Sequence, residues 1–376
     1  MTDKTIDRRK FIKGIGALGA VGAASITTSA FAGDTKTPAI LTGKREWRMA
    51  MTWPKTLPGL GTGAVRLAER ITNLSEGKLN IKVYGAGELV PALGVFDACA
   101  DGSLEMAHAS SYYWLSKNRS FAFFAAVPGG MTAQEIKAWQ YFGDGQKLAH
   151  ELYAQFGLVS FPAGNTGTQM GGWFKKPLHS LEDLKGLKMR IPGIAGEIFS
   201  KLGGNPQNIP GGELYTSLQS GVIDALEWVG PWNDMALGFH RIADYYYGPG
   251  FQEGGPTLEL ILNKQAYDDL PVDLKRVVKL ACACENQLME SEYFYNNLRA
   301  YEDLKKVESL TIAGYPADIK KSMFSMAQDV LADTATLGNI NKRIYDSYAS
   351  FRSSAMDMAK VTEYGFMQGR YSALEG

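Results

Sequence analysis

Cysteine and histidine are scarce in this chain, and their scarcity removes several chemistries at once. Cys99, Cys282 and Cys284 are odd in number and make a poor disulfide framework. Cys282 and Cys284 stand two apart in a helical pattern, where their side chains diverge, so buried free thiols are expected. The four histidines (His108, His150, His179, His240) are scattered, with neither H-x-x-x-H nor H-E-x-x-H spacing, which argues against zinc. G-x-S-x-G is absent and no credible Ser-His-Asp ordering is visible, so hydrolytic chemistry has no signature. Charge of one sign is also missing: 39 basic residues stand against 39 acidic ones. Such a balance offers no basic field to nucleic acid or anionic lipid.

What is present begins at the N-terminus. Arg8-Arg9-Lys10-Phe11-Ile12-Lys13 precedes a nearly uncharged run over 14–31 that closes on Ala30-Phe31-Ala32. A basic segment, a short Gly/Ala-rich apolar segment and an A-x-A site form an export signal, and the paired arginines indicate the twin-arginine route. Ser25, Thr27, Thr28 and Ser29 interrupt the run, which is too polar for the roughly 20 apolar residues of a membrane span. Cleavage near Gly33 would place the protein in the periplasm and remove five basic and two acidic residues. That leaves 34 basic against 37 acidic, a net charge of −3. The remaining 344 residues favour two domains over one core.

After a polar linker over 33–44, residues 46–51 read as a strand. Leu67, Ile71 and Leu74 follow at helical spacing, and Leu79, Ile81 and Val83 alternate as a second strand. This is a β-α-β opening of an α/β domain. Two later passages share one grammar: a helix stopped by glycine, an acid three residues on, then a strand. They hold Gly102 with Glu105, and Gly221 with Asp224, and read as equivalent positions in two lobes. Long amphipathic helical segments are expected at 271–307 and from 316 to about 370. The second either packs across its own lobes or serves as a dimer-forming arm.

In open α/β sheets ligands bind beyond the carboxyl ends of strands. Such ends carry Tyr112 and Tyr113, the 165–169 loop with Gln169, Arg190, and Glu227 with Trp228. Arg190 is the key residue, because a guanidinium at a chain turn offers a planar fork to a carboxylate. Glu227, set between Leu226 and Trp228, and Glu253, in the Gly-rich 250–255 run, are poor places for unpaired carboxylates. Two carboxylates near one arginine and the Gln169 carboxamide point to a hard cation with oxygen ligands. With a monocarboxylate bound the site would carry −2; sodium leaves −1 and calcium leaves 0. Trp53, Tyr112, Tyr113, Trp228 and Trp232 are candidates to wall the pocket. Replacing Arg190 by alanine is expected to abolish acid binding and leave the fold intact.

The runs WRMAMTWP (47–54), GNTGTQ (164–169), LKGLKMRIPG (184–193), GGELYTSLQSGVIDALEW (211–228) and GGP (254–256) together resemble the extracytoplasmic solute-binding subunits of TRAP (tripartite ATP-independent periplasmic) transporters, in the branch that takes α-keto acids with a metal ion. The likeness covers about residues 45–370. It implies an α/β, two-lobed periplasmic binding protein with hinge-linked domains and a long C-terminal helix, not an enzyme. It also implies that Arg190 pairs with the substrate carboxylate, that Gln169, Glu227, the Trp228 carbonyl and Glu253 hold the metal, and that Tyr112 or Tyr113 reaches the substrate. Trp228, where most of the family has Asn, favours the keto-acid branch over C4-dicarboxylate binders.

The expected layout is a signal peptide at 1–32, a linker at 33–44, a first lobe at 45–164 and 254–310, a second lobe at 165–253, and C-terminal helices at 311–376 as a dimerisation arm. The expected function is capture of a small 2-oxo monocarboxylate such as pyruvate with sodium, and delivery to TRAP membrane permease subunits, by a homodimer. Two alternatives are a 2-hydroxy acid such as lactate with calcium, and an exported hydrolase or lyase.

Overall fold

A computed structural model describes residues 43–374, so the export segment expected at 1–32 and most of the linker lie outside the described residues. In chain order the strands among these residues are β1 (Arg45–Met51), β2 (Leu79–Tyr84), β3 (Met106–Ala109), β4 (Leu158–Asn165), β5 (Gly172–Phe174), β6 (Lys188–Arg190), β7 (Asn205–Gln207), β8 (Ala225–Leu226), β9 (Tyr245–Gly248), β10 (Thr257–Asn263) and β11 (Thr311–Gly314). They build two mixed sheets. The first has the order β2-β1-β3-β10-β4 and the second β11-β9-β5-β8-β6-β7.

The opening unit forms as the spacing dictates. Helix Leu60–Leu74 buries Leu60, Ala64, Leu67 and Ile71 on one face, and crosses between β1 and β2, which pair in parallel. Leu74 is the exception, facing solvent at the last turn. β3 joins β1 in parallel, while β10 runs antiparallel to both β3 and β4. Pro162 has no N–H to give the ladder, and the β4–β10 register slips beside it, leaving Ala163 as an extra residue.

The two passages with common grammar play one structural role. Gly102 and Gly221 both take φ of +81°, the left-handed turn that glycine accepts without strain. Glu105 then accepts the backbone N–H of Arg48 on β1 at 2.8 Å, and Asp224 accepts that of Lys188 on β6 at 3.1 Å. Each acid therefore pins a strand to its parallel neighbour in its own sheet.

Helix Val272–Leu304 packs on β4, on helix Leu60–Leu74 and on helix Pro231–Ala236, so it ties the two lobes together. Glu285, fully buried on it, accepts from Arg66 and Arg70 of helix Leu60–Leu74. Three sequence expectations need correction. Residues 311–314, assigned to the C-terminal helices, are a strand that completes the second sheet beside β9. The segment from 316 is broken into Ala317–Ala332, Asn339–Ala359 and Glu363–Ser372, with Gly338 at φ +152° in the first break. Most of its apolar stripe, including Met323, Val330, Ile344 and Tyr348, is buried on this chain, while Phe324, Leu337 and the last stretch from Met356 are exposed. Finally, Cys99 and Cys282 are buried free thiols, but Cys284 is exposed. No helix among the described residues is long and apolar enough to cross a membrane.

Candidate functional site

β6 and β8 lie side by side in parallel with Arg190 opposite Leu226, so the residues that leave their carboxyl ends are neighbours. The Glu227 N–H donates to the Arg190 carbonyl at 3.1 Å, fixing the two backbones together. Arg190, only 1% exposed as a residue, turns its side chain inward. Its Nη1 donates to the Glu227 carbonyl at 2.8 Å and to the Glu227 carboxylate, and its Nε donates to the Ile209 carbonyl at 3.3 Å. The guanidinium also lies over the Trp228 ring at 4.9 Å. Gly211 makes room for that ring, since a Cβ there would stand 2.3 Å from it. Burial pulls the Arg190 pKa down, but Glu227, Tyr113, Tyr112 and Glu253 more than offset it, and the group stays cationic.

The chain between β4 and β5 meets the chain between β9 and β10 in a short non-strand pairing. Gln169 N–H donates to the Glu253 carbonyl at 3.1 Å, and Gly250 N–H to the Gln169 carbonyl at 2.9 Å. Asn165 shapes the loop by accepting from Gly167 N–H at 2.8 Å and donating to the Gly255 carbonyl at 3.0 Å. Gln169 Nε2 is spent on Thr166 Oγ1 at 3.1 Å, which leaves its Oε1 free.

That free oxygen is one of a set. Gln169 Oε1, Glu227 Oε2, Glu253 Oε2 and Gln252 Oε1 are all buried and without any hydrogen-bond partner. Buried oxygens with no donor are costly, a few kcal/mol each, so a group of them calls for a partner, whether water, an ion or a ligand. Burial, and then the charge on Glu227, raises the Glu253 pKa well above the ordinary range, with Arg190 and Tyr112 opposing. Burial also raises Glu227, with Arg190 opposing and Asp234 adding to the rise. A cation would relieve both. Among the described residues no three His, Cys, Asp or Glu side chains cluster as a metal site; this set has two carboxylates and completes itself with a carboxamide, a donor set for hard cations.

Tyr112 and Tyr113 approach from the first lobe, where the turn after β3 places them edge to face at 4.9 Å. Tyr112 crosses to the second lobe, its Cβ 3.7 Å from where a Cβ on Gly193 would stand, and both tyrosines lie near Arg190 and Glu253. The structure thus gathers Tyr112, Tyr113, Gln169, Arg190, Glu227, Trp228 and Glu253. Trp53 sits with Trp228 in one apolar cluster. Trp232 does not join them: it packs edge-on against Tyr293 at 5.2 Å, on helix Val272–Leu304.

Asp234 escaped the sequence reading. It is 1% exposed and accepts from Val229 N–H, Gly230 N–H, Trp173 Nε1 and Tyr246 Oη, so it holds the turn immediately behind Trp228. Burial pushes its pKa up to about 6, against the pull of those donors. The signal for it was slight, an acid in the first turn of a helix that opens on Pro231. A groove of about 990 Å³ runs along Thr166, Thr168, Phe294, Leu298 and Tyr301, and none of Arg190, Glu227 and Glu253 lines it. Its one lysine, Lys137, is already held by Glu290 and Gln287, so it offers an anion no free charge.

Comparison with known proteins identifies the family. Residues 49–336 match the family described as bacterial extracellular solute-binding protein, family 7 (DctP). A monocarboxylate 2-oxoacid-binding periplasmic protein of Nostoc is 40% identical over 320 residues, 85% of this chain and 87% of its own. Among solved structures, a TRAP periplasmic solute-binding protein from Pseudoalteromonas atlantica with bound sodium and pyruvate is 40% identical, with a TM-score of 0.83 over 86% of this chain and 99% of its own. A TRAP solute-binding protein from Bordetella bronchiseptica, a dimer with calcium and picolinate in one site and the other site empty, is 33% identical, with a TM-score of 0.86 over 88% of this chain and 98% of its own. A family match over most of the chain, a relative 40% identical along most of both lengths and the same fold in solved receptors decide the assignment: the chain belongs to bacterial extracellular solute-binding protein family 7, the solute receptors of TRAP transport.

Proposed function

We propose that this receptor captures a small 2-oxo monocarboxylate such as pyruvate together with a metal ion. Gln169 Oε1, Glu227 Oε2, Glu253 Oε2 and the Trp228 carbonyl would hold the cation, Arg190 would take the acid's carboxylate, and Tyr112 or Tyr113 would reach it from the first lobe. The observation that carries this reading is the set of buried oxygens without donors beside one buried guanidinium. The names of the relatives, which pair pyruvate with sodium or a ring carboxylate with calcium, support it. Closing the lobes would exclude water and strengthen both contacts.

The charge count favours a cation without choosing one: sodium leaves the loaded site at −1 and calcium at 0. Sodium is the first choice and calcium, with a 2-hydroxy acid such as lactate as guest, the second. The hydrolase or lyase weighed from the sequence has no place in a family of transport receptors. Twin-arginine export to the periplasm and hand-over to the TRAP permease subunits complete the reading. The lobes would hinge near residues 164–165 and 253–254. A homodimer through the end of the C-terminal region fits Met356, Met358, Val361, Phe366 and Leu374, all at least half exposed.

Titration calorimetry tests the central proposal. Protein stripped of cations and held in a sodium-free buffer should give no heat with pyruvate, and added sodium or calcium should restore binding. Undiminished binding without any cation would overturn the proposed site.

A further inference from the structure

The second lobe presents mostly acceptors that lack donors; the first lobe presents a mixed set of unpartnered donors and acceptors. β1 and β3 are parallel neighbours with Met51 opposite His108, and the Thr52 N–H donates to the His108 carbonyl at 3.2 Å. Thr52, Trp53 and Ser110 therefore leave the sheet together at its carboxyl end, the end where ligands bind. Each is at most 4% exposed, and Thr52 Oγ1, Trp53 Nε1 and Ser110 Oγ have no hydrogen-bond partner. His108 packs edge-on against Trp53 at 5.2 Å. Its Nε2 lies 3.1 Å from the Ala163 carbonyl, which can only accept, so Nε2 carries the proton and Nδ1 is a bare, unpartnered acceptor. Burial lowers the His108 pKa to about 4, so the ring is neutral.

These groups lie at the base of the turn that carries Tyr112 and Tyr113. Thr52 lines a cavity of about 520 Å³ that runs between the first lobe and Pro210, Gly212 and Glu213 of the second. Ser110 accepts the Tyr113 N–H at 3.1 Å through its carbonyl, and Trp53 shares its apolar cluster with Trp228. None of these side chains is cationic. A second carboxylate would therefore enter a site with no positive charge, whereas a hydroxyl could accept from Trp53 Nε1 and donate to His108 Nδ1.

Resting on the receptor reading above, we propose that Thr52, Trp53, Ser110 and His108 form a second polar subsite for a neutral hydroxyl on the tail of the bound acid. The favoured guests are then short 2-oxo acids bearing a hydroxyl beyond the keto group. Buried donors left unmatched by an apolar tail cost more than the tail's burial returns.

The isosteric pair 3-hydroxypyruvate and 2-oxobutyrate, which differ by a hydroxyl in place of a methyl, tests this by calorimetry in the presence of sodium, with pyruvate alongside. The wild type should bind 3-hydroxypyruvate at least about tenfold tighter than 2-oxobutyrate. Ser110→Ala and Trp53→Phe should each bring that ratio to within about threefold of unity, a selective change that general damage to the pocket would not produce. A wild-type ratio near one, or a ratio that survives both substitutions, would overturn the subsite while pyruvate binding leaves the receptor reading standing. Absence of binding by all three acids would overturn both.

Discussion

Removing the charge of Arg190 tests the pocket and the fold in one experiment. The sequence alone predicts that Arg190→Ala abolishes binding and spares the structure. The buried pair alters that expectation, because Arg190 and Glu227 have 2% and 1% of their side chains exposed and contact each other directly. Breaking such a pair from one side strands the other charge and costs about 3–5 kcal/mol. Here the substitution also removes the donors to the Glu227 and Ile209 carbonyls and the cation from the face of Trp228. Arg190→Met, similar in length and apolar, should therefore destabilise the ligand-free protein by roughly that amount in urea unfolding.

Adding Glu227→Gln removes the stranded charge, and the double variant should recover all but about 1–2 kcal/mol, as replaced buried ion pairs commonly do. Binding should not recover with it. Losing a charge-assisted contact in a dry site weakens affinity by at least about a hundredfold, and pyruvate heats should vanish in both variants. Two results would refute the reasoning. Unfolding midpoints within error of the wild type for Arg190→Met would mean that the pair contributes nothing, and wild-type pyruvate affinity in either variant would remove Arg190 as the anchor.

Two other perturbations bear on parts of the chain outside the pocket. Glu259, 5% exposed and contacted by Trp114 Nε1 and Tyr153 Oη, has its pKa pushed up to about 7 by burial. A carboxyl raised in the folded state binds its proton more tightly there than when unfolded. Its stabilising contribution is complete below the unfolded value near 4.5 and is lost as pH rises through about 7, a change of about 3 kcal/mol. Glu259→Gln should flatten the stability profile between pH 5 and pH 8 by about that amount, and parallel profiles would count against it. Truncation after residue 355 removes the exposed apolar stretch of the C-terminal region and should convert a dimer to a monomer in light scattering; equal masses per particle would end the dimer proposal.

The sequence makes Arg190 legible because a strand that ends at a proline-glycine turn points its last side chain into the space beyond the sheet. Glu227 was legible for a different reason, since an acid between a leucine and a tryptophan needs a partner wherever it lies. Gln169 and Glu253 stood out only by their Gly-rich surroundings, and the family likeness gave them their roles; their juxtaposition depends on a backbone pairing between chain segments 84 residues apart. Trp232 misled because an aromatic at a strand end can serve a core equally well, and here helix Val272–Leu304 supplies that core. β11 was hidden for want of length, four residues being too few to show a period.

What sequence reading could not supply is where the unpaired groups collect. Around Glu227 and Glu253 they are mostly acceptors, with Trp228 Nε1 as a donor among them, and on the first lobe Trp53 Nε1, the Thr52 and Ser110 hydroxyls and His108 Nδ1 form a mixed set. Neither half can meet its needs with the other's side chains while a guest must fit between them, so each depends on what enters. A cation alone answers the second lobe and leaves the first unsatisfied, and an acid alone meets two carboxylates that repel it. On the proposed reading the two together satisfy both surfaces, and closure over a mixed guest, anion and cation, is the state this cleft would stabilise.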